Sequence, residues 1–430
     1  MNTALAYSEA AHHPRVLVVS LYHPELIRGG AQQIAYELFK GLQEEPDLHP
    51  VLLASVDSTY PALYKPGARI TGFDGRQDEF LFLSADYDFL WHRVTSPAHI
   101  DAFAEFLQTV RPDVVHFHHF MTLGVDLLSL TRRVLPSSRI VFTFHEFMAI
   151  CEASGHMVRK TDQSLCDAAT PVRCHQCFPD RRPEHFVARK MWFQRHLGAA
   201  DVFTCPSAFM IQHYVDWGIP RERLFHVPNG QTHYGRAAKM PQHHGPHNRF
   251  GFFGQLLDIK GIRTLIQAVT LLRERGFTDF TLELNGDNLR YASKATQAEF
   301  EIFLQAQQHL VPQVVRHNGS YQVDQLSTRM SRIDWVIVPS LWREAFGLVL
   351  SEAWMFGRPV ICSDVGALAE RVTDNVNGLH FRMGDASALA DTLQRACTES
   401  GLWEQLSNAL PEPPSRARMI ADYRRIYGIV

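Results

Sequence analysis

No stretch of this 430-residue chain stays apolar for the ~18 residues that suggest a membrane-spanning helix. The opening MNTALAYSEAAHHP lacks the positive and apolar regions of a secretory signal. A basic excess is missing too. Lys and Arg number 42 against 45 Asp and Glu, a net charge of −3, which argues against a nucleic-acid partner. Cysteine is scarce and odd in number, seven in all and unevenly spread, so reduced thiols in the cytoplasm are the simplest expectation. Internal repeats and low-complexity tracts are also absent. What is present is ordinary for a globular protein: 46% hydrophobic and 20% charged residues. The length predicts two domains of about 200 residues each.

Short apolar runs alternate with helical patterns along most of the chain. RVLVVS (15–20), VLLAS (51–55), DVVHFHH (113–119), RIVFTFHE (139–146) and DVFTCPS (201–207) read as strands buried on both faces. Helical periodicity covers 31–43, 97–110 and 121–134 between them. A polar stretch rich in Pro, Gly and His (227–249) reads as a linker. A second series follows: RFGFFGQ (249–255), FTLELNGD (280–287), QVVRHNGS (313–320), DWVIVPS (334–340), RPVICSD (358–364) and GLHFRM (378–383). Helical segments at 261–275, 296–310, 323–332, 347–356 and 386–398 separate these. The expected fold is α/β with two doubly wound, Rossmann-like domains, and ligands sit at the carboxyl ends of such strands.

In REAFGLVLSE (343–352), Glu344 falls in the loop after a strand and Glu352 inside the following helix. Eight residues at helical rise span roughly 12 Å. Glycosidase carboxylate pairs stand about 5–10 Å apart across one bond, so an acid/base pair fits poorly. The free N–H groups of Ala345, Phe346 and Gly347, at the opening of a helix, favour an anion such as a diphosphate. A carboxylate on either side then suits hydroxyls at the two ends of that anion, the layout of a nucleotide sugar. The plainer reading is an acidic residue favoured by the helix dipole plus a solvent-facing glutamate.

The surrounding sequence VIVPSLWREAFGLVLSEAWMFGRPVICSDVGALAERVTDNVNGLHF (336–381) closely resembles the signature of glycosyltransferase family 4. The resemblance extends to FFGQLLDIKGIRTLIQA (252–268), HVPNG (226–230), TFHEF (143–147) and RGGAQQIAYEL (28–38), so it touches both halves. It implies retaining enzymes of GT-B fold, with two domains facing a central cleft. Residues 1–230 would bind the acceptor, 231–414 the nucleotide sugar, and 415–430 would pack back on the first domain. By the same resemblance, Glu344 and the backbone of Ala345, Phe346, Gly347 and Leu348 hold the donor sugar and phosphate, and Glu352 holds the ribose. Lys260 faces the diphosphate, Gly29 and Gly30 bring backbone to the cleft, and His145 contacts the sugar as a catalytic residue with Glu344. The family commonly carries arginine where this chain has Gln255, and Arg263 is the nearby cation expected to compensate. No catalytic metal is expected.

DYD (86–88) imitates an Asp-x-Asp metal motif but lacks a nucleotide-binding unit before it. His116, His118 and His119 could ligate a metal, but they lie at a strand end with no partnered carboxylate, which argues against it; the backbone at 116–119 is expected to shape the cleft with His145. Cys151, Cys166, Cys174 and Cys177 have the C-x2-C pair and extra thiols that suit a structural zinc in a polar loop without periodicity. An iron–sulfur cluster is the lesser alternative. RRPEHFVARKMWFQRHL (181–197) reads as a packed helix with a basic outer face, or as an interfacial helix at the inner face of a membrane. The sequence thus predicts a retaining transferase acting on a carbohydrate or lipid-linked acceptor in glycoconjugate or polysaccharide assembly. Its rivals are a sugar-nucleotide epimerase or hydrolase on the same fold, and a catalytically silent nucleotide-sugar-binding subunit.

Overall fold

Val16, Leu17, Val18 and Val19 are all sealed from solvent, as an unbroken apolar run requires. They lie in Arg15–Ser20, an inner strand of an eight-stranded sheet. In the computed structural model, which describes residues 13–57, 60–63, 67–84, 86–232 and 245–429, the order across this sheet is Leu224–His226, Val202–Cys205, Arg139–Thr143, Val114–Phe117, Arg15–Ser20, His49–Val56, Glu79–Leu83, Ile70–Gly72. All neighbours run parallel except the last pair. The order turns back between Arg15–Ser20 and Val114–Phe117, and a crevice opens beyond the carboxyl ends of strands at such a point.

The second sheet has six parallel strands in the order Val315–His317, Thr281–Asn285, Arg249–Phe253, Trp335–Val338, Val360–Ser363, Gly378–Phe381. Its reversal falls between Arg249–Phe253 and Trp335–Val338. The two turning points face the same space, and this fixes where a ligand can lie. Much of the expected linker, residues 233–244, falls outside the described residues, as does the N-terminal stretch 1–12.

The C-terminal helix Arg416–Tyr427 crosses back onto the first sheet's layer. Met419, Ile420, Tyr423 and Tyr427 are buried there with Val16, Ile34 and Leu38. The Tyr427 hydroxyl bonds His116 Nδ1 at 2.7 Å, which occupies that histidine structurally. Residues 181–197 form the helix Pro183–Leu197, with Phe186, Arg189, Phe193 and Leu197 buried. Arg189 does not belong to a basic outer face: its guanidinium donates to the carbonyls of Met148 and Ala149. The DYD motif is likewise structural. Asp88 accepts the amides of Leu90 and Trp91 in a small hairpin. No described helix is long and apolar enough to cross a membrane.

Candidate active site

A cleft of about 530 Å³ opens where the two sheets turn back. Apart from Arg263, the residues assigned above to catalysis or donor binding line it: Gly29, Gly30 and His145 from the first sheet's loops, then Gln255, Lys260, Glu344, Ala345, Phe346, Gly347, Leu348 and Glu352 from the second's. Local geometry explains the convergence. Gly261 follows Lys260 in the left-handed region, φ +75, and a side chain there would collide with the Pro339 carbonyl. Only glycine lets the Lys260 turn approach the loop that carries Glu344.

Glu344 is buried, and its Oε1 accepts three donors: Lys260 Nζ at 2.6 Å, Ser340 Oγ at 2.7 Å and Trp342 Nε1 at 3.0 Å. Burial alone would raise its pKa, but the Lys260 ammonium with these hydrogen bonds holds it below the ordinary glutamate value. The Lys260 ammonium is therefore paired with the Glu344 carboxylate at 2.6 Å. Arg371 organises the following turn, donating to the carbonyls of Phe346 at 2.9 Å and Gly347 at 3.2 Å. The helix Leu348–Met355 then starts, with Gly347 at its N-cap.

Glu352 sits one turn into that helix and is also buried, but its electrostatics are opposite. Desolvation raises its carboxyl above the ordinary value, offset only in part by Arg28 and Gln231. Arg28 comes from the other sheet's loop. Its guanidinium lies 5.7 Å from the Tyr321 ring centroid, and Nη1 donates to the Tyr321 carbonyl at 3.5 Å.

His145 lies two residues beyond the strand Arg139–Thr143. Its Nε2 meets His118 Nδ1 at 2.9 Å with the rings stacked. Burial, with His119 nearby, pushes the His145 imidazole down to about 3, so it is neutral at physiological pH. Glu146 lines the cleft beside it and was given no role by the sequence reading. One of its oxygens accepts the Met148 amide and the other lies 3.5 Å from His119 Nε2. Burial raises this carboxyl to about 8. The signal was its position inside TFHEF, but nothing in that motif told of its desolvation.

Two expectations need correction. Arg263 does not compensate for Gln255: its guanidinium is paired with Glu299 at 2.5 Å, and it does not line the cleft. The metal assignment for Cys151, Cys166, Cys174 and Cys177 is not supported either. Cys174 is within electrostatic reach of the other three thiols, yet among the described residues no group of three or more His, Cys, Asp or Glu is arranged to hold a metal ion. The loop also carries its own apolar anchors. Met157 is buried in the core, Val158 bridges Leu165, and the helix Pro171–Cys177 is capped by Thr170. Across the cleft Arg343 donates to the Cys166 carbonyl at 3.0 Å and to Asp167 at 2.5 Å, and His156 packs edge-on against Trp342. The segment is a wall between the two halves.

Two family models divide the chain between them. Glycosyltransferase Family 4 matches residues 28–231, and Glycosyl transferases group 1 matches 238–412. The glycogen synthase of Mycobacterium tuberculosis is 23% identical over 95% of this chain and 91% of its own length. A lipopolysaccharide 1,2-N-acetylglucosaminetransferase of Salmonella typhimurium is 26% identical over 60% of this chain and 65% of its own. Among solved structures, Anabaena HepE in complex with UDP-glucose aligns over 97% of this chain and 100% of its own, with TM-score 0.65 and 15% identity. Sucrose-phosphate synthase from Thermosynechococcus elongatus aligns over the same shares with TM-score 0.67 and 18% identity. At these identities the likeness is one of fold, the GT-B arrangement of two facing α/β domains.

Proposed function

The chain belongs to glycosyltransferase family 4, and from that premise we propose that it moves a sugar, with retention, from a nucleotide donor held across the Glu344–Glu352 turn. The observation that carries this reading is the opposed electrostatics of the two glutamates. Glu344 is an ionised carboxylate already committed to Lys260, Ser340 and Trp342, with its second oxygen left for sugar hydroxyls. Glu352 is buried with a raised pKa, so a ribose diol entering beside it gives it the hydrogen-bond donors that favour its charge. The diphosphate lies between them, at the amides of 345–348, with Gly29 and Gly30 opposite.

Transfer then needs positioning more than a protein base. The acceptor oxygen bonds to the anomeric carbon on the face that the diphosphate leaves. The diphosphate departs with the bonding electron pair and takes the acceptor's proton. Lys260 stabilises the charge that grows on the leaving group, and neutral His145 orients the sugar. Residues 231–414 form the donor domain, and 1–230 with the returning helix form the acceptor domain. The acceptor is a carbohydrate or a lipid-linked glycan. Exposed Val187 and Met191 beside Lys190 and Arg195 on the helix Pro183–Leu197 support contact with an anionic lipid surface.

A panel of UDP-, GDP-, ADP- and dTDP-sugars tests this by release of the nucleoside diphosphate, and proton NMR of the product reads its anomeric configuration. One donor should turn over with retention, and Glu344→Ala should abolish that turnover. No turnover of any donor, or an inverted product, would contradict the reading.

A further inference from the structure

We infer that Arg28 is a second diphosphate-binding cation, delivered to the donor from the opposite domain. The inference rests on the reading above, that the cleft takes a nucleotide sugar. Among the described residues lining the cleft, only Arg28 and Lys260 carry a permanent positive charge. Lys260 is held by Glu344 at 2.6 Å, and Gln255 is neutral. A diphosphate brings at least two negative charges into this space. One half-neutralised lysine and the backbone amides leave much of that charge unmatched.

Arg28 has the geometry to match it. It directly precedes Gly29 and Gly30, where the helix Gly30–Gln43 begins. Its recorded contacts among the described residues are with the Tyr321 ring and carbonyl, and no carboxylate oxygen is among them. Its one hydrogen bond among the described residues, to the Tyr321 carbonyl, is long at 3.5 Å and uses only Nη1. The remaining N–H groups of a planar fork are left for an anion, which guanidinium binds in bidentate fashion. The guanidinium stands over the Tyr321 ring and within electrostatic reach of Glu352, so it is already drawn to the nucleotide side of the cleft. A phosphate bound there would be gripped by both domains at once.

Calorimetry decides it. UDP, GDP, ADP and dTDP are titrated into the wild-type protein, and the one that binds is compared with its monophosphate and nucleoside. The same three ligands are then titrated into Arg28→Ala, Arg28→Lys and the double variant Arg28→Ala/Gln255→Arg, each first checked for an unchanged melting temperature. Arg28→Ala should weaken the diphosphate by 10- to 100-fold and leave the nucleoside within about twofold. Arg28→Lys should fall between, and Gln255→Arg should recover most of the loss. Equal losses for nucleoside and diphosphate would assign Arg28 to the base or ribose and overturn the proposal, as would no loss at all. If no nucleoside diphosphate binds the wild type, the reading of the cleft itself fails and takes this proposal with it.

Discussion

Replacing Glu344 by glutamine removes one charge and almost no volume. The amide oxygen can still accept from Ser340 and Trp342, so the change falls mainly on the 2.6 Å contact with Lys260. A charge-assisted hydrogen bond contributes about 1.5–3 kcal/mol and a neutral one about 0.5–1.5. The Lys260 side chain is 27% exposed, so screening takes the difference to roughly 1 kcal/mol. The melting temperature should fall by about 2–4 °C. Because the folded pKa of Glu344 is depressed, the wild-type contribution is present above the ordinary value of 4.5 and is lost as pH falls below it. Glu344→Gln should lack that acid limb. Its nucleotide binding should move the other way. Lys260, released from its partner, meets the diphosphate with full charge, and affinity should hold or rise by up to about tenfold. Turnover should still drop by about 100-fold or more, through the lost contact to the sugar. Calorimetry and a turnover assay on the same preparation measure both. A variant that loses nucleotide affinity, or that turns over normally, would refute the reasoning.

Glu146, with its pKa raised to about 8, favours the fold fully below its unfolded value and loses that contribution as pH rises through 8. Thermal unfolding of Glu146→Gln should therefore lose less stability than wild type between pH 5 and 9, and identical pH profiles would refute the assignment. Gly261→Ala puts a methyl against the Pro339 carbonyl at φ +75 and should cost about 2 kcal/mol or more. It should also weaken nucleotide binding by displacing Lys260, and a stable variant with unchanged affinity would count against that turn. Glu352→Ala should lower nucleoside diphosphate affinity by about 10- to 100-fold, read by calorimetry, since a charged acceptor is worth about 1.5–3 kcal/mol.

Both sheets were legible as apolar runs because their strands are covered on both faces, as Trp335–Val338 is throughout. Glu79–Leu83 was missed: it opens on a buried glutamate paired with His23 at 2.8 Å, a pairing that no local pattern announces. Leu224–His226 is short and mostly exposed at the sheet edge. The glutamate pair was legible because its spacing is set within one loop and helix. Contacts that cross the cleft were not. Glu370 caps the helix Ala208–Trp217 from the other half, accepting the amides of Ala208 and Phe209, and the two residues lie over 160 positions from it. Arg263 was misjudged for the same reason: proximity in sequence suggested phosphate, while Glu299, 36 residues on, takes the charge. The cysteine spacing suggested a metal as the loop's missing support, whereas buried side chains such as Met157 already tie that loop to the core.

The most direct test is a side-by-side titration of one nucleotide sugar and its free nucleoside diphosphate into Glu344→Ala and Glu352→Ala. Two clamps on one ligand predict that Glu352→Ala weakens both ligands alike, whereas Glu344→Ala removes the affinity that the sugar adds and leaves the free nucleotide bound at least as tightly as before. Equal losses in the two variants, or none in either, would contradict it.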